Sequence, residues 1–305
     1  MKTLSVRNGK LTIPALGVGC MRITALQTKE NVRRFIDTAM EAGANFFDHA
    51  DIYGAGEAEA IFGEAMPQEK REQMILQTKC AIRPGICFDF SKEHILKSVD
   101  GSLRRLKTEY IDILLLHRPD TLMDGEEVAE AFEALEKSGK VRYFGVSNQS
   151  AMQLALMKKY CGDRILFNQL QLSIPHCDII DAGINVNIHD DLGCDRSGGV
   201  LEYSRLNDIT LQAWSPFQYG MFAGCFIGSE KFPELNAVLN RLAEKYDSTP
   251  NGIAVAWITR HPANIQTIVG TTNARRLADC CKATELRLTR EEWYELYMAA
   301  GKKLP

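Results

Sequence analysis

The stretch IDILLLH, residues 111–117, is an almost unbroken aliphatic run that ends on a histidine. Such runs are typical of strands buried on both faces of a parallel sheet, whereas half-exposed strands alternate apolar and polar residues. Seven further short apolar runs occur along the chain. The eight predicted strands cover residues 16–20, 45–49, 74–80, 111–117, 141–147, 166–172, 209–214 and 266–270.

Segments with helical periodicity separate these runs. Ser91 and Thr289 stand where helix N-caps are expected. The predicted helices cover residues 29–42, 91–106, 128–137, 151–159, 235–246, 253–260, 274–281 and 290–300. Eight strand–helix units in a chain of this length predict a (β/α)8 TIM barrel, an α/β fold; an open doubly wound sheet is the competing architecture.

The first residues predict a β-hairpin in front of the barrel. Residues 5–7 and 10–13 flank an Asn8-Gly9 turn, which is a strong hairpin signal. We expect this N-terminal hairpin to close the bottom of the barrel, and residues 1–305 to form a single domain.

The composition is that of a globular protein rather than a disordered one. The 305 residues are 45% hydrophobic and 25% charged, with a net charge of −3. This balance gives no basic footprint for nucleic acid or an anionic membrane, and no apolar run approaches the roughly 18 residues of a membrane span. Nine cysteines lack CxxC spacing, and the N-terminus lacks an apolar secretory segment. We therefore expect a cytoplasmic protein whose free cysteines pack as small core residues.

Several common motifs are missing from the sequence. It contains no GxGxxG or GxxxxGK[ST] loop, which disfavours a Rossmann dinucleotide site and a P-loop. GxSxG and HExxH are missing as well. Residues 181–199 are polar and glycine-rich, and we expect them to form a lid or binding loop.

Four chemically complementary residues follow neighbouring predicted strands. Asp48 ends the second strand and Tyr53 follows it, Lys79 ends the third strand, and His117 ends the fourth. Active sites of barrels lie at the carboxyl ends of the strands, so these side chains are expected to meet.

This set can work as a proton donor with groups that tune it. An ammonium about 4 Å from a phenol contributes about 4 kcal/mol at an effective dielectric constant of 20, or about three pKa units before desolvation subtracts. We expect Lys79 to lower the pKa of Tyr53 towards neutral, Asp48 to be the counter-ion of Lys79, and His117 to orient a carbonyl oxygen or share the proton.

Two other interpretations of these residues remain open from the pattern alone. Asp48 and Lys79 could be a structural ion pair beside an ordinary loop tyrosine. His49, Asp51 and His117 could ligate a metal ion, although their spacing is unfamiliar and His49 is expected to point away from Asp48. We predict no metal.

The other strand ends carry polar or aromatic groups suited to a nucleotide. Ser147, Asn148 and Gln169 can hydrogen-bond a carboxamide, and Trp214 offers a flat face to a ring. The helix after Thr272, with Arg276 one turn in, predicts a phosphate site. Taken singly, Trp214 is better explained by barrel packing and Arg276 by a solvated helix face. Polar groups at seven strand ends on one side are what favours a site.

The combination resembles the aldo-keto reductase family. Asp48, Tyr53, Lys79 and His117 resemble its catalytic tetrad, and the form of Trp214 and its neighbours is similar to the bacterial branch that includes potassium-channel β-subunit-like proteins. The resemblance runs almost end to end, over the motifs LGVG, FFDHADIYG, LLLHRPD, GVSN, FNQLQLS, QAWSPFQYG and IVGTTNARRL.

The resemblance implies an oxidoreductase that binds NADP(H) across the barrel mouth. Hydride then passes from the nicotinamide to an aldehyde or ketone, Tyr53 protonates the oxygen, and an alcohol forms. The cofactor-binding residues implied are Cys20, Met21, Asp48, Ser147, Asn148, Gln169, Trp214, Ser215, Pro216, Phe217, Gly270, Thr272 and Arg276. Residues 220–225 lack the lysine that many relatives carry, and Gly270 replaces a lysine of another branch. Arg276 is therefore the main residue that favours NADPH over NADH.

The sequence thus predicts an NADPH-dependent reductase of a small-molecule carbonyl compound, with no protein partner indicated. One alternative is a nicotinamide-binding redox sensor with vestigial turnover; the other is a metal-dependent barrel hydrolase. The loops at 80–90 and 181–199 are expected to bound the substrate.

Overall fold

The computed structural model of the protein describes residues 1–304. Eight of its strands form a closed, all-parallel barrel. The strands are β1 (Thr3–Val6), β2 (Leu11–Pro14), β3 (Leu16–Gly19), β4 (Phe46–Asp48), β5 (Ile75–Cys80), β6 (Ile82–Arg83), β7 (Cys87–Phe88), β8 (Ile111–Leu116), β9 (Val141–Ser147), β10 (Ile165–Gln171), β11 (Thr210–Trp214) and β12 (Gln266–Val269). Around the barrel the strands follow the order β3-β4-β5-β8-β9-β10-β11-β12. The predicted TIM barrel is confirmed, and every predicted strand end lies within one residue of the observed end.

Helices surround the barrel. They are α1 (Lys29–Glu41), α2 (Glu57–Ala65), α3 (Lys92–Leu106), α4 (Gly125–Lys137), α5 (Ala151–Cys161), α6 (Asp178–Ile184), α7 (Val200–Leu206), α8 (Pro233–Lys245), α9 (Pro250–Thr259), α10 (Ala274–Ala283) and α11 (Arg290–Ala299). Ser91 caps α3 and Thr289 caps α11, both as predicted. The sequence analysis missed α2, α6 and α7. None of the described helices is long and apolar enough to cross a membrane.

The barrel strand β8 is buried on both faces, which explains its unbroken aliphatic sequence. Ile113 and Leu115 belong to the apolar cluster inside the barrel. Leu114 and Leu116 pack on the helix side, in a cluster with Phe132 of α4. Each face therefore buries alternate residues of the run, as a parallel strand between two layers requires.

The N-terminal hairpin closes the bottom of the barrel, as predicted. Strands β1 and β2 pair antiparallel, with Leu4 opposite Ile13. Leu4, Val6 and Ile13 are buried in one cluster with Phe46 and Ile113 of the barrel strands. This plug leaves the carboxyl ends of the strands as the open end.

Two predictions outside the barrel need correction. The segment 181–199 is not a loop throughout, because α6 extends to Ile184. Its Asp181 is buried, where it accepts a hydrogen bond from the Tyr297 hydroxyl and pairs with Lys302. Those partners are more than 100 residues away in the sequence, so the local polar composition gave no sign of the burial.

All nine cysteines are free thiols, but they are not all core residues. Six are buried, whereas Cys87, Cys194 and Cys225 are exposed. The three exposed cysteines lie in the short strand β7 and in loops, where no layer covers them.

Candidate active site

The four predicted catalytic residues meet at the open end of the barrel. β4 ends at Asp48 and pairs with β5, which carries Lys79; β5 pairs in turn with β8, after which His117 follows. Tyr53 stands in the loop after β4. Parallel register brings the three strand ends to one edge, as the sequence analysis expected.

Lys79 is the centre of the site. Its ammonium group is fully buried and lies 2.8 Å from each carboxylate oxygen of Asp48. It also donates to the backbone oxygen of His49 at 2.8 Å and lies 3.3 Å from the Tyr53 hydroxyl. A buried ammonium requires this degree of compensation, because isolated charge is costly inside a protein.

Asp48 is held by two glutamines as well as by the lysine. The amide nitrogens of Gln77 and Gln169 lie 2.6 and 3.2 Å from its Oδ1 atom. Both amides also donate to Gln212, which donates back to Gln77 and to Gln266. Gln169 was predicted as a site residue, but for a carboxamide. Gln77, Gln212 and Gln266 were not predicted, although polar residues at the inward positions of apolar strands were a usable signal.

The pKa of Tyr53 contradicts the expectation. Burial raises the pKa of the phenol above its usual value; Lys79 lowers it, and Asp48 raises it again. Burial lowers the pKa of Lys79, but Asp48 and Tyr53 raise it by more. The pKa therefore lies above its usual value and the amine stays charged. The expected lowering by Lys79 is present, but burial of the phenol outweighs it, and the carboxylate of Asp48, 2.8 Å from the ammonium, opposes it further. At neutral pH Tyr53 therefore retains its proton.

His117 lies edge-on to Tyr53, with 6.0 Å between the ring centroids. Burial, with Lys79 and Arg118 adding to it, lowers the pKa of His117 well below its usual value, so the ring is neutral. Its Nδ1 atom is buried and has no hydrogen-bond partner within residues 1–304. A neutral imidazole beside a protonated phenol can orient a carbonyl oxygen without a competing charge.

The metal interpretation of His49, Asp51 and His117 finds no support in the geometry. His49 points outward, as expected, and packs edge-on against Phe62 with centroids 4.5 Å apart. Burial, and then Lys79, lowers its pKa to about 3. In the described part of the chain, no three His, Cys, Asp or Glu residues are grouped so that they could hold a metal ion.

Three of the predicted carboxamide-binding residues and Trp214 are brought together. The Ser147 hydroxyl donates to the backbone oxygen of Gln169 at 2.9 Å, and the Asn148 amide donates to the Ser147 oxygen at 2.8 Å. The Trp214 indole nitrogen donates to Asn148 Oδ1 at 3.2 Å. These hydrogen bonds fix the orientation of both polar groups and the indole ring.

The backbone at this edge adopts unusual conformations. Asn148 and Ser215 have φ values of 59° and 50°, in the left-handed region that favours glycine. Ala55 and Ala81, which follow β4 and β5, share this feature at 54° and 81°. Such strain costs of order 1–3 kcal/mol per residue and is concentrated at functional sites. These φ values could not be predicted from the residue types at the four positions.

The predicted phosphate-binding residues flank the same opening. A Cβ atom on Gly270 would meet only the Gly19 carbonyl oxygen, at 4.0 Å, so space is open there. Thr272 is half-buried, and Arg276 is exposed in the first turn of α10, whose N-cap is Asn273. Backbone amides, open space and a cation in this arrangement suit a phosphate group.

The remaining predicted cofactor-binding residues differ in how far they are buried. Cys20 is buried and its backbone nitrogen donates to the Asp48 carbonyl at 2.8 Å, whereas Met21 is 46% exposed. Burial raises the pKa of Cys20 well above its usual value. Pro216 is buried, and Phe217 packs partly buried against two core clusters.

A separate cavity of about 400 Å3 lies on the outer surface of the barrel. Its lining includes Gly183, Arg205, Arg260 and Trp293, and it contains none of the predicted site residues. Chemical grouping, rather than cavity volume, therefore identifies the barrel mouth as the candidate active site.

Comparison with known proteins identifies the family of this chain. The model of the aldo/keto reductase family matches residues 15–299. The 6-dehydroglucose reductase of Novosphingobium aromaticivorans is 33% identical and covers 92% of this chain and 89% of its own length. A putative voltage-gated potassium channel subunit beta of Schizosaccharomyces pombe is 26% identical over 84% of this chain and 79% of its own. The chain belongs to the aldo/keto reductase family of oxidoreductases.

Solved structures give the same fold. A thermostable aldo-keto reductase in complex with the inhibitor epalrestat superposes with a TM-score of 0.78, at 27% identity, covering 98% of this chain and 100% of that chain. A Bombyx mori aldo-keto reductase in complex with NADP superposes with a TM-score of 0.75, at 22% identity, covering 98% and 92%. The predicted family, and its likeness to the potassium-channel β-subunit proteins, are confirmed.

Proposed function

We propose that the protein is an NADPH-dependent reductase that converts an aldehyde or ketone into an alcohol, with Tyr53 as the proton donor. The observation that carries the proposal is the buried Lys79 ammonium, 2.8 Å from both oxygens of Asp48 and 3.3 Å from the Tyr53 hydroxyl. The reductase name of the Novosphingobium relative and the NADP complex of the Bombyx protein support it.

The chain's own residues supply the proton and the electrostatic stabilisation. Bound NADPH supplies the hydride. Tyr53 keeps its proton until negative charge develops on the carbonyl oxygen, and it then donates that proton. Lys79 stabilises the resulting phenolate at 3.3 Å, and Asp48 keeps the lysine charged. His117, neutral and edge-on to Tyr53, hydrogen-bonds the substrate oxygen.

We propose that an extended dinucleotide would lie across the barrel mouth. In this proposal Ser147, Asn148 and Gln169 hold the carboxamide, and Trp214 stacks on the nicotinamide ring. The open space at Gly270 and the start of α10 accommodate phosphates, and Arg276 contacts the 2′-phosphate of NADPH. The residues that complete the cofactor site are Cys20, Met21, Asp48, Ser215, Pro216, Phe217 and Thr272.

The decisive variant is Tyr53→Phe, which removes one hydroxyl and leaves the ring. We expect aldehyde turnover with NADPH to fall about 10³-fold, because general-acid catalysis is worth about 10²–10⁴-fold. We expect NADPH to bind the variant stoichiometrically. Turnover is followed by NADPH absorbance with a panel of aldehydes, and binding by fluorescence titration.

Tyr203→Phe is the matched control, since Tyr203 lies on the outer helix α7. It should retain wild-type turnover. Full activity of Tyr53→Phe would refute the proton-donor assignment. If the wild-type protein binds NADPH tightly but reduces no aldehyde in the panel, the redox-sensor function is favoured instead.

A further inference from the structure

Arg118 stands at the active-site mouth with an uncompensated charge. It directly follows His117, and its side chain is half-buried. Its guanidinium carbon lies 5.9 Å from the centre of the Trp214 ring, and its Nη2 atom lies 3.8 Å from the sulfur of Met221. Tyr53 and Arg118 also interact electrostatically. The guanidinium is thus beside Trp214, the proposed nicotinamide platform, and within electrostatic range of Tyr53.

Three carboxylates at the strand ends and in the loops beside them have partners other than Arg118. Asp48 pairs with Lys79, and Asp89 pairs with Arg83. Asp120 accepts hydrogen bonds from the backbone nitrogens at positions 90 and 122. Within residues 1–304, no carboxylate lies in ion-pair distance of Arg118.

A half-buried guanidinium without an anion has lost part of its hydration, and no ion pair compensates for that loss. Burial lowers the pKa of Arg118, which reflects that cost. Five N–H donors in a planar fork suit two oxygens of a carboxylate or phosphate. Trp214 and Met221 lie beside the guanidinium. An anionic group of the substrate would therefore bind next to Trp214 while its carbonyl faces Tyr53.

We propose that Arg118 binds an anionic oxygen group, a carboxylate or a phosphate, on the carbonyl substrate. The protein therefore prefers anionic aldehydes or ketones to their neutral counterparts. This inference rests on the proposed function and identifies its substrate class.

Matched pairs of aldehydes test the preference. Succinic semialdehyde and its methyl ester differ by one carboxylate charge, and glyceraldehyde 3-phosphate and glyceraldehyde differ by one phosphate. We expect kcat/KM to be at least tenfold higher for the anionic member of at least one pair, and the pair that responds identifies the anion. In Arg118→Gln the ratio should fall to about twofold, mainly through a higher KM for the anionic aldehyde.

Two further variants separate recognition from a structural role. Arg118→Lys keeps the charge but loses the fork, so it should restore part of the preference. Arg241→Gln removes an exposed guanidinium on α8, where it pairs with Glu295, and should keep the full preference. Equal kcat/KM values within both pairs for the wild type would overturn the inference. An Arg118→Gln variant that loses NADPH affinity and activity towards anionic and neutral aldehydes alike would also overturn it, because the guanidinium would then bind the cofactor.

A binding measurement keeps the inference separate from the proposed function. Calorimetric titration of 4-hydroxybutyrate, the alcohol product of succinic semialdehyde, and of glycerol 3-phosphate into NADP⁺-loaded protein needs no turnover. We expect at least one of them to bind the wild type at least tenfold more tightly than Arg118→Gln. Absence of turnover with retained, Arg118-dependent binding would reject the reductase but keep the anion site. Turnover without any Arg118-dependent binding or preference would reject the anion site alone.

Discussion

At the scale of single residues, Asp51 carries a proton that its position makes hard to release. Its Oδ1 atom is buried and finds no hydrogen-bond partner in the chain as described to residue 304. Burial, then the Glu59 carboxylate, raises the pKa of Asp51 to about 7, against partial compensation by Arg105 and Lys79. The unfolded carboxyl titrates near 4. The contribution of this carboxyl group to the free energy of unfolding is therefore greatest below about pH 4, and it is lost as the pH rises to about 7.

Asp51→Asn removes this titration. We expect the variant to gain stability over the wild type as the pH rises from about 4 to 7, by about 2 kcal/mol after discounting for the partly exposed carboxyl. Urea unfolding at a series of pH values measures the difference. The control Asp100→Asn removes an exposed carboxylate paired with Lys140 and should change the free energy of unfolding by under about 1 kcal/mol. Parallel pH curves for wild type and Asp51→Asn would contradict the expectation.

Some features of the candidate site could be predicted from the sequence, and others could not. Asp48, Lys79 and His117 are recoverable because polar residues at the ends of apolar runs mark the open edge of a barrel. The contacts of Gln77 with Gln212 depend on closure of the barrel across 135 positions. The pKa of Tyr53 depends on burial and on the counter-ion of the lysine. Neither the burial of the phenol nor the effect of the counter-ion can be read from residue spacing. For this reason the predicted direction of the Tyr53 pKa shift was wrong.

At the scale of elements, α2 packs against α3 through Gly63. A Cβ atom at this position would lie 2.8 Å from the Cα atom of Leu106 and closer still to the carbonyl oxygen of Arg105. Backbone cannot move aside cheaply, so Gly63→Ala must push the two helices apart. We expect a loss of about 2 kcal/mol in the free energy of unfolding, measured by urea denaturation.

Gly101→Ala, within α3, is the matched control. The atoms nearest its Cβ atom would belong to the end of the Arg105 side chain, the closest 3.0 Å away, rather than to backbone, so a shift of a few tenths of an ångström by that side chain suffices. Alanine is also favoured over glycine inside a helix by up to about 1 kcal/mol. We expect no loss of stability in this variant. Equal effects of the two substitutions would show that the close approach at Gly63 does not limit packing.

The same elements explain which parts of the fold were predictable. β8 was evident because burial on both faces leaves an aliphatic run, and α11 because a capping box opens it. α2 was missed because it begins directly after Gly54, Ala55 and Gly56, which all have positive φ, and it buries Glu59 through contacts with distant residues. Local pattern thus identified elements whose burial is regular along the sequence, and missed elements whose packing depends on distant partners.

At the scale of the whole molecule, stability and chemistry lie at opposite ends of the barrel. The hairpin side chains Leu4, Val6 and Ile13 fill the bottom, whereas Lys79 and Tyr53 stand at the open edge. This separation is common to TIM barrels, in which the carboxyl ends of the strands carry the reaction and the other end contributes to stability. A substitution in the plug is therefore expected to affect folding more than turnover.

Ile13→Ala tests this separation. Ile13 is 1% exposed within the bottom cluster, and truncating a buried isoleucine costs about 2–5 kcal/mol. We expect a loss of about 3 kcal/mol in urea denaturation, with kcat per folded molecule unchanged well below the unfolding temperature. Ser5→Ala, on the exposed face of the same hairpin, should cost under about 0.5 kcal/mol. A fall in kcat in step with the loss of stability, while the protein is still folded, would mean that the plug holds the catalytic edge in place through the length of the barrel.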